Sequence, residues 1–264
     1  MYDTLVSLLE SWGVSSSSAA SQAEFLTDVP GILFAIWETV YAPALATVFA
    51  YLLGLPLGII LVTGEEGGIR PLPKTLMRVL NTVINLLRSV PFLILMLLVI
   101  PVSRLIVGTS VGTTATIVPL TVAAAPYVAR LVEISLREMD RGVIEAAQAM
   151  GCSPWQIITK VLLPECRPSL INGATNASIT ILGYGAMAGA IGGGGLGKIA
   201  INYGYNRYNY AVMLVAVILI VILVQIFQSI GSYFAARMDK RLSSGARKAV
   251  KKQSQRDKRV PGAM

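Results

Sequence analysis

The apolar residues of the chain fall into five long runs separated by shorter polar stretches. The runs cover about residues 33–63, 83–107, 111–132, 169–191 and 209–234. A helix of about 20 apolar residues crosses the hydrocarbon core of a bilayer, so each run is long enough for one span. Pro and Gly recur inside the runs, which membrane helices tolerate. The pattern predicts an all-α, polytopic membrane protein with about five transmembrane helices.

A polar stretch between the third and fourth runs, EAAQAMGCSPWQIITKVLLPE, has a helical pattern of its own. Its Ala-rich first part predicts a short helix with a narrow buried face of Ala146, Ala147 and Met150. Gly151 follows at the position where a helix commonly ends with a residue in the left-handed conformation. The spacing therefore predicts that this helix stops at Gly151.

The second part of the stretch predicts another short helix. Ser153 suits the N-cap and Pro154 the first helical position, while Pro164 is expected to end the helix. The expected apolar stripe comprises Trp155, Ile158, Val161 and Leu162. Two helices joined at an angle therefore project from the membrane surface, either as a docking module or as a folded loop that only links two spans.

Charge placement indicates the orientation. The chain carries 22 Lys and Arg against 14 Asp and Glu, and none of the 22 precedes Arg70. With the N-terminus outside, the inner segments hold 18 of these basic residues and the outer segments three, which is the bias expected of cytoplasmic segments. We therefore expect residues 1–30 to form an outer extension, 31–240 the membrane domain, and 241–264 a basic cytoplasmic tail. The tail is expected to anchor the topology or to meet anionic membrane lipid, rather than nucleic acid.

The composition also limits the chemistry. The chain is 54% hydrophobic and 14% charged, and it contains no His, the commonest general base and metal ligand. Glu38, near the outer end of the first run, is the only carboxylate in the predicted spans. An ion-coupled secondary transporter would need ionisable residues at mid-span. We therefore expect no catalytic residue, no metal, no cofactor and no enzymatic activity, and we favour a passive translocation subunit.

A glycine-rich segment, Gly192 to Lys198, matches most of a phosphate-binding loop. Ile199 occupies the position where such a loop carries Ser or Thr for the magnesium ion, and the predicted topology places the segment outside. The segment therefore predicts a flexible, closely packed turn after the fourth span rather than a nucleotide site; the alternative is a plain loop in which Gly supplies the turn geometry.

Two further patterns concern local packing. Gly54 and Gly58 are spaced so that two helices can approach closely, within one chain or between copies, and Gly185 and Gly189 repeat that spacing. The Ser-rich piece 15–21 predicts a flexible segment, with partial helix as the alternative.

The polar stretch also carries a resemblance. Glu145-Ala146-Ala147, three residues, Gly151, nine residues, then Val161-x-Leu163-Pro164 is similar to the cytoplasmic signature loop of bacterial ABC-importer permeases. Val161 stands where that family usually has Ile. NLLRSVPFLIL, TIVPLTVAAAPYVARLVE and GYGAMAGAIGGGGLGKIAINYGY extend the resemblance, over about residues 31–240, to the methionine-importing permeases of this family.

The resemblance implies a role for particular residues. It implies a coupling loop at about 138–166 that docks on a separate ATPase subunit through Glu145, Ala146, Ala147, Gly151, Val161, Leu163 and Pro164. It also implies that Tyr184, Ala186 and Met187 belong to the pore or its gate. The alternative is that these three residues only pack against neighbouring helices.

The resemblance also implies an assembly in the bacterial cytoplasmic (inner) membrane. Its expected parts are a homodimer of this chain, two copies of the ATP-binding subunit and a substrate-binding lipoprotein outside. Alternating access driven by the ATPase would translocate L- and D-methionine, or another amino acid or small polar solute.

Overall fold

The computed structural model describes residues 2–11 and 13–238; the predicted basic tail, 241–264, lies outside the described residues. All regular structure in the described part is helical. The first half contains α1 (Tyr2–Ser11), α2 (Ser16–Thr27), α3 (Val29–Thr63), α4 (Lys74–Ser89), α5 (Phe92–Val107) and α6 (Thr113–Arg137). The second half contains α7 (Arg141–Ala149), α8 (Pro154–Gln156), a π-helical turn (Ile157–Leu162), α9 (Leu163–Glu165), α10 (Arg167–Ala188), a 3-10 turn (Gly189–Ile191), α11 (Gly195–Lys198), a second π-helical turn (Ile199–Tyr205) and α12 (Tyr210–Met238).

Three of these helices are long and apolar enough to cross a membrane unaided. They are α3, α6 and α12. Two bent pairs pass the same test: α4 with α5, and α10 with the segment that ends at Tyr205. The all-α fold is therefore confirmed, and the number of spans is five when each bent pair is one span.

The second predicted span, 83–107, is wrong as a single helix. The chain bends by 108° between α4 and α5, and α4 begins at Lys74, well before residue 83. The bend falls at Val90, whose ψ of 127° is extended. Pro91 causes this because the residue before a proline is driven out of the α-helical region.

Helix α6 forms the centre of the bundle, and α3 lies along it. The two backbones approach closely at Gly54 and Gly58, where an added Cβ would lie 2.8 Å from the Ala125 carbonyl oxygen and 2.7 Å from that of Ala129. This glycine pair therefore packs within one chain. The buried core around α6 comprises Ala46, Ala50, Leu120, Ala124, Val128, Val132, Leu136, Met139, Leu162, Cys166, Ala177 and Ile181.

The N-terminal residues form two helices, so the flexible segment expected at 15–21 is wrong and the helical alternative holds. Ser15 is extended and α2 starts at the next residue, because the segment packs against α1 through buried Leu9, Ala19 and Ala23. The ring of Phe25 lies 5.1 Å from that of Tyr203, which joins this helical pair to the second π-helical turn.

Candidate coupling and translocation sites

Residues 138–166, called here the module, project at one end of the bundle. Asp140 caps α7 by accepting a hydrogen bond from the Gly142 amide at 2.8 Å. Gly151 has a φ of +78°, and the Cys152 amide donates to the Ala147 carbonyl oxygen at 3.2 Å. A left-handed residue with this returning hydrogen bond is a common helix ending. The prediction that the first helix stops at Gly151 is confirmed.

A capping box starts the second helix of the module. The Gln156 amide donates to Ser153 Oγ at 3.4 Å, and the Ser153 amide donates to Gln156 Oε1 at 2.9 Å. The predicted N-cap at Ser153 and first helical position at Pro154 are confirmed. Pro164 does not end the helix, contrary to the prediction. Pro164 lies in the first turn of α9, where its missing backbone N–H breaks no hydrogen bond within that helix. Helical structure continues to Glu165.

The buried face of the module differs from the one predicted. Of the predicted small-residue face only Ala147 is buried, while Ala146 is exposed and Met150 is 76% exposed. Ile158 and Leu162 of the expected apolar stripe are buried, as predicted. Trp155 is 71% exposed, contrary to the prediction, and Ile157 at the start of the π-helical turn faces the core in its place.

The remaining predicted coupling residues differ in their burial. Val161 and Leu163 are half-buried and pack against the core around α6. Pro164 is half-buried and Glu145 is exposed. The module is thus anchored on one side and presents Met150 and Trp155 on the other.

Beneath the module, a charge network joins three elements. The i,i+4 spacing of Glu133 and Arg137 on α6 is typical of a surface helix pair, and the two do form an ion pair, but Glu133 is buried, at 6% exposed. Arg137 donates to Glu133 Oε1 at 2.9 Å and, through Nη1, to Glu65 Oε2 at 3.0 Å in the turn after α3. The Glu133 carboxylate can be buried because it accepts hydrogen bonds from two guanidinium groups rather than one.

The second guanidinium belongs to Arg130. It forms an ion pair with Glu133 and donates through Nη2 to the side-chain oxygens of Asn81 at 2.8 Å and Asn85 at 2.9 Å, both on α4. Through its two arginines, Glu133 therefore connects α6 both to the turn after α3 and to α4. A cavity of about 490 Å³ separates this network from α7, with Glu65 and Arg137 on one wall and Glu145 and Gln148 on the other.

The predicted pore residues lie in the last turns of α10, at the other end of the bundle. The Tyr184 ring stacks on Phe92, with ring centres 4.3 Å apart and planes 6° from parallel. Ala186 is half-buried, whereas Met187 is 48% exposed. The start of α10, next to the module, lies roughly 30 Å away along the helix axis. The predicted coupling and pore residues therefore form two separate sites linked by α10.

A second cavity, of about 390 Å³, lies where α10 begins. Polar side chains line much of it, including Ser135 and Glu138 from the end of α6 and Ser169, Asn172 and Asn176 from α10. In the described residues, 2–11 and 13–238, no group of three or more Cys, Asp or Glu side chains is arranged to hold a metal ion.

The glycine-rich segment forms a packed turn, as predicted, and its amides are already engaged by the chain itself. The Gly195 amide donates to Glu38 Oε2 at 2.9 Å, and the Leu196 amide donates to Thr39 Oγ1 at 2.8 Å. A helical turn precedes the segment, where a phosphate-binding loop would follow a strand. One sequence feature hints that Glu38 has a partner: it is an isolated carboxylate in an apolar run.

Comparison of the chain with known proteins identifies its family. Residues 54–243 match the model of the binding-protein-dependent transport system inner membrane component. The chain therefore belongs to this family of multi-pass inner-membrane permease subunits of ABC importers.

Individual relatives of the chain point to one group of permeases within this family. The chain is 52% identical over 211 residues to the probable D-methionine transport system permease protein MetI of Vibrio cholerae, covering 80% of this chain and 93% of that one. It is 49% identical to the corresponding protein of Haemophilus influenzae, covering 78% and 97%. A chain from inward-facing crystals of the MetNI methionine ABC transporter superimposes with a TM-score of 0.76 at 46% identity, covering 78% and 94%. The resemblance to methionine-importer permeases is thus confirmed.

Proposed function

We propose that this chain is the membrane-spanning subunit of a methionine importer and carries both D- and L-methionine. The proposal rests on the D-methionine permeases that are about half identical to it over most of their length. A subunit of this kind needs a path through the membrane and a docking surface, but no catalytic group of its own. We assign these two features to opposite ends of α10.

The module is the proposed docking site for the ATP-binding subunit, and it faces the cytoplasm. The observation that carries this assignment is the exposed pair Met150 and Trp155 on a module whose fold is fixed by the Gly151 helix ending and the Ser153 capping box. Rigid presentation of a large aromatic side chain suits an anchor in a protein interface. Glu145 is exposed on the wall of the cavity beneath α7 and supplies a charge for a basic partner. The N-terminus then lies outside.

The proposed assembly contains two copies of this chain, two ATP-binding subunits and an external substrate-binding lipoprotein. Met187 lies at or near the narrowest point of the path, close to the two-fold axis, with Tyr184 and Ala186 behind it. Closure of the ATPase pair moves the two modules together and tilts the spans, so that the path opens alternately to either side. The polar cavity at the start of α10 belongs to the cytoplasmic half of this path.

Transport by the reconstituted complex tests the proposed function. The chain is assembled in liposomes with its ATP-binding subunit, and the binding protein is supplied inside or outside together with radiolabelled D- or L-methionine. ATP-dependent accumulation of both forms is expected, with competition from unlabelled methionine. Accumulation driven by an ion gradient without ATP would indicate a secondary transporter instead. ATP-dependent uptake of a different amino acid, but not of methionine, would contradict the substrate assignment.

A further inference from the structure

Two membrane helices, α3 and α6, and the short helix α11 meet at a single carboxylate at the end of the bundle opposite the module. Glu38 of α3 accepts a hydrogen bond from the Thr113 hydroxyl at 2.5 Å through Oε1, and from the Gly195 amide at 2.9 Å through Oε2. Thr113 is the first residue of α6, and Gly195 is the first residue of α11. Both oxygens of Glu38 are therefore occupied by groups from two other parts of the chain.

The neighbouring residue strengthens the same junction. Thr39 is 6% exposed; its hydroxyl accepts a hydrogen bond from the Leu196 amide at 2.8 Å and donates to the Ala35 carbonyl oxygen at 2.7 Å. The first amides of a helix have no partner within the helix, so these two side chains satisfy donors that would otherwise be unpaired. Hydrogen bonds that involve an ionised group are roughly twice as strong as those between neutral groups.

The glycine run is what permits this close approach. A Cβ on Gly194 would collide with the Thr113 hydroxyl and with the Glu38 carboxylate, and a Cβ on Gly195 would lie 2.6 Å from Thr39 Oγ1. Gly195 also has a φ of +76°, which side chains other than glycine rarely adopt. The segment that resembles a phosphate-binding loop thus wraps a carboxylate of its own chain.

This junction also fixes the last turns of α10. Helix α11 folds back so tightly that a Cβ on Gly197 would collide with the Ala186 carbonyl oxygen, and one on Gly189 with the Lys198 amide. The Gly112 amide, just before α6, donates to the Gly192 carbonyl oxygen at 2.8 Å. The position of the predicted pore residues is therefore tied, through α11, to α3 and α6.

We propose that Glu38 is a positioning residue for transport, which joins the outer ends of α3, α6 and α10 into one rigid body. Helix α6 leads into the module and α10 leads out of it. While this body stays intact, a displacement of the module therefore moves the outer ends of both helices, and of α3, together. Packed elements of this kind move as units rather than deforming continuously. The inference rests on the proposed function, because it concerns how ATPase movement reaches the translocation path.

The test measures methionine uptake and ATP hydrolysis on one preparation of the complete complex in liposomes. The variants are Glu38→Ala, Glu38→Gln and Thr113→Val, and the matched control is Glu24→Ala, an exposed carboxylate on α2. Glu38→Ala is expected to lower the methionine transported per ATP by roughly tenfold while the ATPase rate changes by less than about twofold. Glu38→Gln should retain most of the ratio, since an amide can both accept from Gly195 and donate to Thr113. Thr113→Val, which removes one of the two contacts, should fall between them.

Several results would overturn the inference. These are an unchanged ratio in Glu38→Ala, an equal loss in Glu24→Ala, and a Glu38→Gln variant as impaired as Glu38→Ala. If Glu38→Ala does not assemble, the nearly isosteric Thr113→Val decides alone, and a wild-type ratio in that variant contradicts the proposal. A wild-type complex that transports no methionine would instead refute the proposed function, so the two failures are distinguishable.

Discussion

Arg137 donates a hydrogen bond from Nη1 to Glu65 Oε2 at 3.0 Å, joining the last residue of α6 to the turn that follows α3. The two residues are 72 positions apart in sequence. Arg137 also binds Glu133, and the module begins one residue later, at Glu138. A continuous set of ion pairs in the membrane core therefore ends at the residue directly before the proposed docking module.

Glu133→Ala is expected to destabilise the protein strongly. The change removes the carboxylate between Arg130 and Arg137. Arg137 is exposed and keeps Glu65, but the largely buried Arg130 guanidinium loses its ion-pair partner. Breaking a buried ion pair from one side costs about 3–5 kcal/mol. Thermal unfolding of the purified complex in detergent measures the effect. Glu138→Ala, an exposed carboxylate at the end of the same helix, is the control and should unfold at the wild-type temperature. Equal stability of the two variants would show that the network does not hold the helices together.

Gly58→Ala is expected to destabilise the contact between α3 and α6. Its new methyl group would lie 2.6 Å from the Val132 side chain and 2.7 Å from the Ala129 carbonyl oxygen. Overpacking of this kind costs about 1–3 kcal/mol. Gly183→Ala in α10 is the matched control, because no atom lies within 4 Å of its added Cβ. A lower unfolding temperature is expected only for Gly58→Ala, and a wild-type value for that variant would contradict this packing.

The fold could be predicted from sequence as far as local signals reach. Long apolar runs identified α3, α6 and α12 because span length is set by bilayer thickness. Pro91 contained the signal for the bend between α4 and α5, yet the run around it is apolar enough to look continuous. The burial of Met77 and Ile84 on α4, and hence its early start at Lys74, depends on packing that hydropathy does not report.

The candidate sites, too, could be predicted only where neighbouring residues in the sequence determine the structure. Gly151, Ser153 and Pro154 act through their own backbone and nearest neighbours, so their roles followed from sequence. The contact between Glu38 and Gly195 spans 157 positions, and nothing local at either residue points to the other. Trp155 was misassigned because the π-helical turn that follows it changes which residues face the core.

Gly151→Val is expected to leave membrane insertion and dimerisation intact but to abolish uptake and stimulation of the ATPase. No atom lies within 4 Å of an added Cβ there, so the cost comes only from the φ of +78° and amounts to about 1–2 kcal/mol. That energy is too small to unfold the bundle but large enough to change the angle between the two module helices. Gly108→Val, with a φ of +82° and equally open surroundings at the other end of the bundle, is the control. Wild-type uptake in Gly151→Val would mean that the module is only a linker.

Met187→Cys is expected to cross-link to its twin across the proposed dimer axis. The side chain is 48% exposed among small neighbours in α10, which leaves room for a facing copy. Cys152 and Cys166 are first replaced by Ala, and oxidation is followed on denaturing gels in each nucleotide state. Val221→Cys, on the exposed side of α12, serves as the control that should not cross-link. Absence of the Met187→Cys product in every state would remove this residue from the axis.

The most direct test of the central claim is the affinity of the purified ATP-binding subunit for this chain with Trp155→Ala. Trp155 is 71% exposed on the module, and Trp37 is 61% exposed on α3 near the other end of the bundle, so the two substitutions remove similar apolar surface. If the module is the docking site, Trp155→Ala costs at least about 2 kcal/mol, or roughly a 30-fold higher Kd, whereas Trp37→Ala leaves the Kd unchanged. Wild-type affinity in Trp155→Ala, or an equal loss in Trp37→Ala, would contradict the assignment of the module as the coupling site.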